Sequence, residues 1–105
     1  MDKQDSEYSD QAKLKCQLAG GADHVTAMQL LRTKLGAITN VLPEPAVEVE
    51  ILEFNLVGPV LAVRPFCHNE RYWQVYFDGN RVIREALAEA GFPPMPAQLL
   101  LTHNA

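Results

Sequence analysis

The run Arg64-Pro65-Phe66-Cys67-His68-Asn69-Glu70-Arg71-Tyr72-Trp73-Gln74-Val75-Tyr76-Phe77 constrains the fold more than any other part of the chain. Pro65 has no amide proton to give a ladder and should stop a strand. Asn69 is suited to cap a helix, and the helix that follows opens on Tyr72, Trp73, Tyr76 and Phe77. Half of the chain's eight aromatic side chains thus fall within six consecutive residues. One helix face in a domain this small cannot hide that much apolar surface, so part of the cluster is expected to meet a partner. The run asks for a chain that turns from sheet to helix at this point, and for assembly before catalysis.

With 105 residues, 48% of them hydrophobic, the chain can build one domain around a single core and not two. Nine basic residues against thirteen acidic ones give a net charge of −4, the wrong sign for an affinity that comes from neutralising phosphates. The cations Lys13, Lys15, Arg32, Lys34, Arg64, Arg71, Arg81 and Arg84 form no run, so nucleic acid is not an expected partner. Cys16 and Cys67 lie far apart and make no CxxC motif, and no hydrophobic signal follows Met1. Free thiols in a reducing compartment are expected. Apolar stretches of only a few residues fall far short of the roughly 20 that span a bilayer, so the segment reads as soluble.

Residues 1–11 are almost wholly polar and read as a mobile lead-in, with a single domain over 12–105. Leu14, Cys16 and Leu18 alternate with Lys13, Lys15 and Gln17 at the period of a half-buried strand. After a turn at Gly20-Gly21, Asp23 is placed to cap a helix from His24, with Val25, Met28, Leu31, Leu35 and Ile38 on one face. Prolines at 43 and 45 carry the chain onward. Val47, Val49 and Ile51 mark a second strand and Leu61 and Val63 a third, joined by a hairpin loop near Asn55-Leu56-Val57-Gly58-Pro59. Pairing Arg64 with Glu48 or Glu50 would set unlike charges on the outer face. The second helix is expected from a cap at Asn69 to about Ala90, closed by Gly91, with Tyr72, Tyr76, Gly79, Ile83, Leu87 and Ala90 as its stripe. Trp73 and Phe77 lie off that stripe, beside Asn80 and Arg84. A stiff proline segment, Pro93-Pro94-Met95-Pro96, then leads to a short last strand over 98–103. The order β-α-β-β-α-β is the split βαβ plan, and the expected fold is ferredoxin-like α+β, an antiparallel sheet with two helices on one face.

These residues resemble the cytoplasmic C-terminal domain of the small-conductance mechanosensitive channel family. In that family a strand ending in Arg-Pro-aromatic leads into Asn-x-x-Tyr-Trp-x-Val-Tyr-aromatic, then Ile-Lys/Arg-Glu-x-Leu, Ala-Gly and a Pro-aromatic-Pro turn. The chain has Arg64-Pro65-Phe66, Asn69, Tyr72-Trp73, Val75-Tyr76-Phe77, Ile83-Arg84-Glu85-Ala86-Leu87, Ala90-Gly91 and Pro94-Met95-Pro96. Asp23, Ala27, Leu30 and Leu31 look like the family's first helix, so the likeness covers about residues 12–98 and is densest over 60–96. It departs where Met95 replaces the usual aromatic, and where Ala97 stands in place of a common Gln, with Gln98 one step later. The resemblance implies a vestibule below a membrane pore on the cytoplasmic side of the inner membrane. Seven copies would surround an axis, joined to a membrane-spanning part of the same polypeptide, with ions or small solutes in transit. By that resemblance the last strand gathers into a small barrel with its symmetry mates; together with the surplus aromatics Trp73 and Phe77, the residues Met95, Leu99 and Leu101 are the candidate subunit-interface residues.

Other readings of the same residues are blander. Trp73 and Phe77 would serve equally well under a loop or the terminal segment of their own chain. Cys67-His68 suggests a nucleophile with a base, but adjacent side chains seldom face one site, and His24 and His103 have no ligand spacing, so no catalytic residue, metal or cofactor is expected. Gly20-Gly21 lacks the basic residue an anion cradle or an acylphosphatase-like site would need. Glu48, Glu50 and Glu53 read as a strand's solvent side. The alternative to a channel domain is a free-standing ferredoxin-like module that binds a small ligand or regulates a partner by dimerising.

Overall fold

The computed structural model describes residues 9–92, two helices set on antiparallel strands, an α+β arrangement. Its strands are β1 (Ser9–Gln11), β2 (Leu14–Gln17), β3 (Glu48–Phe54), β4 (Pro59–Arg64) and β5 (Phe66–His68); its helices are α1 (His24–Gly36) and α2 (Tyr72–Glu89). One antiparallel ladder runs β2-β4-β3 and a second joins β1 to β5. The Ala12 N–H donates to the Pro65 carbonyl at 2.9 Å, so the two ladders continue one another across a single break.

Pro65 therefore interrupts the strand without ending it. It removes one donor, and Phe66, Cys67 and His68 then resume pairing with Gln11, Asp10 and Ser9. Strand pairing consequently takes in the last three residues of the expected polar lead-in, Ser9–Gln11, because they have a partner strand. The expected last strand over 98–103, and with it Pro94, Met95, Pro96, Leu99 and Leu101, lies outside the described residues, as does the start of the lead-in.

The core lies between the sheet and the helices. Asp23 caps α1, its carboxylate accepting from the Thr26 N–H at 3.2 Å and the Thr26 hydroxyl at 2.6 Å. The helix buries Ala27, Leu31 and Leu35. Val25, expected on that face, is 55% exposed, because the face is centred one step further round, on Ala27. On α2 the buried line is Val75, Gly79, Ile83 and Ala86, while Tyr72, Tyr76 and Leu87 only flank it. A Cβ built on Gly79 would sit 3.0 Å from Leu14 Cδ1, which measures how closely α2 lies on β2.

The second helix does not start from an Asn69 cap. A 3-10 turn over Asn69–Arg71 comes first, and the α-helical position before Tyr72 is Arg71, with no side-chain cap. The far end is as expected: Gly91 takes φ +88°, and the N–H groups of Phe92 and Gly91 donate to the Leu87 and Ala88 carbonyls, the paired bonds of a Schellman ending.

Strand β4 is apolar on both faces. Its outward Val60 and Ala62 are nonetheless 7% and 5% exposed. Gln17 and Glu53 flank Val60 in register, and Lys15 and Glu50 flank Ala62, so long polar side chains on both neighbouring strands cover the small ones between them. Arg64 does stand opposite Glu48. No ion pair joins them within the described residues. Glu48 instead accepts from Gln11 Nε2 at 2.7 Å, and Arg64 Nε is buried without a hydrogen-bond partner.

Candidate functional site

Four rings in two turns of α2 form one strip. Tyr72 and Trp73 meet edge to face at 5.1 Å between centroids, Trp73 and Tyr76 likewise at 5.5 Å, and Trp73 stacks on Phe77 at 5.8 Å. The spacing follows from residues i and i+4 lying one turn apart on the same side of a helix. Tyr72 and Tyr76 turn part of their surface to the core. Trp73 and Phe77 are 63% and 62% exposed, so within the described residues neither ring packs beneath a loop of its own chain.

The strip's position in the fold is set by the other side of α2. Gln74 Nε2 donates to the Thr39 carbonyl at 2.9 Å, and its Oε1 accepts from Asn40 Nδ2 at 2.8 Å. Asp78, Arg81 and Glu85 line an open groove of about 360 Å³ against Lys34 and Ile38. That side faces α1, while the line Val75, Gly79, Ile83 and Ala86 faces the core, so Trp73 and Phe77, on the part of the helix turned away from the core, face solvent. Arg81 pairs with Asp78 at 3.7 Å and Glu85 at 3.1 Å, both solvent-exposed contacts of little energetic weight.

A second apolar patch was not anticipated. Leu52, Phe54 and Leu56 are 43%, 72% and 106% exposed, and Ile51 stands at 36%, all on edge strand β3 or its hairpin. The signal was present in the sequence: Leu52 breaks the alternation after Ile51, where the ladder has its irregularity between Ile51 and Glu53. A bulge cannot be placed from alternation alone, and the expectation that Ile51 is buried failed with it. The hairpin beyond is held by Asn55, whose Oδ1 accepts from the N–H groups of Val57 and Gly58 at 3.0 and 3.1 Å. Gly58 lies so close to the chain at Leu18 to Gly20 that an added Cβ would come within 2.5 Å of the Leu18 carbonyl oxygen.

Neither thiol is placed for chemistry. Cys16 and Cys67 are free and buried. Burial pushes Cys16 up to about 11, and burial followed by the nearby Asp10 carboxylate pushes Cys67 up as well. A raised pKa keeps the thiol protonated and unreactive near neutrality. Cys16 pairs opposite Leu61 and Cys67 opposite Asp10. Six residues along one strand line then separate the two cysteines, about 20 Å at strand rise. Among the described residues no group of three His, Cys, Asp or Glu side chains could hold a metal, and no helix is long and apolar enough to cross a membrane.

No protein-family model matches the chain, and no curated protein matches it.

Proposed function

We propose that the chain is a non-enzymatic assembly domain, the cytoplasmic vestibule portion of a small-conductance mechanosensitive channel. The observation that carries this reading is the exposure of Trp73 and Phe77 as a stacked pair on a helix whose opposite face is buried in the core. Two large rings left open to water on a rigid element are anchors for a partner surface. The β2-β4-β3 order supports the fold part of the reading, since a ferredoxin-like split βαβ places its second strand at the far edge from its first, with the third between. The Arg64-Pro65-Phe66 to Gly91 run supplies the resemblance; of its expected places Gly91 keeps the helix end, while the strand resumes past Pro65 and Asn69 opens a 3-10 turn instead of capping α2.

In this reading the domain holds copies of the chain together below a pore and shapes the path of ions or small solutes. A small-ligand module finds less support, because the groove between α1 and α2 and the one beside Phe92 are open rather than enclosed. The test is the apparent mass and membrane partition of the native polypeptide in source cells, read with an antibody against this segment. The expected result is a band well above 11.7 kDa that pellets with membranes. A soluble band at 11.7 kDa would overturn the channel reading.

A further inference from the structure

Among the described residues the edges of the three-stranded sheet, β2 and β3, carry no further strand, and each offers what the other lacks. We propose that β2 of one copy pairs in parallel with β3 of a second copy, head to tail, with Phe54 of the second copy seated in a groove at the end of α2. The inference rests on the assembly reading above and names the surfaces that meet.

The charges exclude the symmetric alternatives. Lys13 and Lys15 are exposed on β2 and Glu48, Glu50 and Glu53 on β3, where Glu48 accepts from Gln11. Joining β2 to β2, or β3 to β3, would set like charges across the seam. Joining β2 to β3 sets lysines against glutamates.

The backbone has the parity this needs. Ala12 and Leu18 donate to the carbonyls of Pro65 and Pro59, so the period of two turns the N–H and C=O of Lys13, Lys15 and Gln17 to the open edge. On β3 the Val49 carbonyl already points outward, where Arg32 Nη2 donates to it at 2.9 Å, and Ile51 shares that direction. In a parallel ladder a residue bonds to the two neighbours of the residue opposite it. Lys15 opposite Glu50 would therefore donate to the Val49 carbonyl and accept from the Ile51 N–H, taking over the role of Arg32. The same register sets Lys13 against Glu48.

It also brings the end of β3 to the right place. Allowing for the bulge after Ile51, Phe54 of the second copy comes beside Leu18 and Ala19. There an apolar groove of about 340 Å³ opens between the turn at Ala19, Gly21 and Ala22 and the end of α2 at Ala90, Gly91 and Phe92. One register thus satisfies both charge pairs and provides an apolar seat for Phe54, the most exposed ring among the described residues. A contact between two different surfaces is heterologous and closes into a ring when its rotation allows.

The experiment mixes two exposed-site variants of the whole chain, Lys15→Cys and Glu50→Cys, under mild oxidation. Neighbouring strands stand about 4.8 Å apart, which suits the roughly 4.4–6.8 Å a disulfide spans between Cα atoms. The expected result is a disulfide heterodimer several-fold in excess of either homodimer, slowed several-fold by Phe54→Ala in the Glu50→Cys chain. The parent chain, whose own thiols are buried, is the control for background. Homodimers of either variant in excess would overturn the head-to-tail junction in favour of a symmetric one. Absence of any cross-link, the outcome if the chain's own C-terminal residues cover β2, would overturn it too. Both failures leave the membrane-partition result standing, so the junction and the channel reading fail separately.

Discussion

Truncating Trp73 and Phe77 should separate assembly from folding. An enclosed aromatic side chain buries roughly 150–250 Å². With 63% and 62% of the two rings open, a partner that covered them would remove about 120–150 Å² of each from water, worth about 3 kcal/mol per ring at ~25 cal/mol/Å². Association costs take back part of this, so about 3 kcal/mol, or roughly a hundredfold in affinity, is the ceiling for each truncation. Within the monomer only the covered third of each ring is at stake. That is at most about 2 kcal/mol for Trp73→Ala, of which the better helix propensity of Ala returns about 0.5. Leu31→Ala, fully buried in the core, should cost about 2–5 kcal/mol. Urea melts of the chain should therefore show Trp73→Ala and Phe77→Ala well above Leu31→Ala in stability. Sedimentation velocity of the native polypeptide should show both aromatic variants shifted toward smaller species. A Trp73→Ala chain that unfolds as readily as Leu31→Ala, or one that assembles as tightly as the parent, would refute the reasoning.

Gly58→Ala should cost more than about 2 kcal/mol in a urea melt, because its Cβ would meet backbone atoms at 2.5 to 2.7 Å, whereas Gly79→Ala meets only side-chain ends, Leu14 at 3.0 Å and Leu35 at 3.4 Å, and should change stability by under about 1 kcal/mol. Asp23→Ala should lower stability at neutral pH by loss of the α1 cap, read as a lower urea midpoint. Bonds from Thr26 lower the pKa of Asp23 in the folded chain, so its contribution is present above the unfolded value and fades as pH falls through the folded one; the difference between parent and variant should shrink in acid melts. For Cys16 the sign is opposite: a pKa raised from 9.0 to about 11 means that stability is complete below about pH 9 and declines as pH rises toward 11, a loss that Cys16→Ala should not show.

Much of the fold was legible in the sequence where one period ruled. The alternation of Leu14, Cys16 and Leu18, the Asp23 cap, the Leu31 and Leu35 face and the Gly91 ending all stand in the structure, because each depends on neighbours within a few residues. The strand past Pro65 was hidden because its justification is a partner more than 50 residues away, the segment Ser9–Gln11, whose polar composition looks like a linker when read alone. The bulge at Leu52 was hidden for a related reason. A register shift is decided by how β3 meets β4, not by β3 itself. Trp73 and Phe77 could be separated from the helix stripe by geometry on a wheel, yet their exposure needed the position of every other element.

The two surprises of the structure bear on one question, which is how a small sheet protects its edges. Central β4 is paired on both edges, so among the described residues the three-stranded sheet's unpaired backbone is confined to β2 and β3. Edge strands are usually blunted by charge or covered by a side chain. Here Arg32 covers one carbonyl of β3, but Leu52 and Phe54 lie exposed beside it, which would be a hazard in a chain meant to stay alone. The arrangement becomes economical if β3 is kept for a partner. Glutamates on one edge and lysines on the other discourage each edge from pairing with its own kind, while a neighbour in the correct orientation meets opposite charge, open backbone and an apolar seat together. The specificity then lies in the difference between the two edges, and a chain with both edges acidic or both basic would lose it without losing its fold.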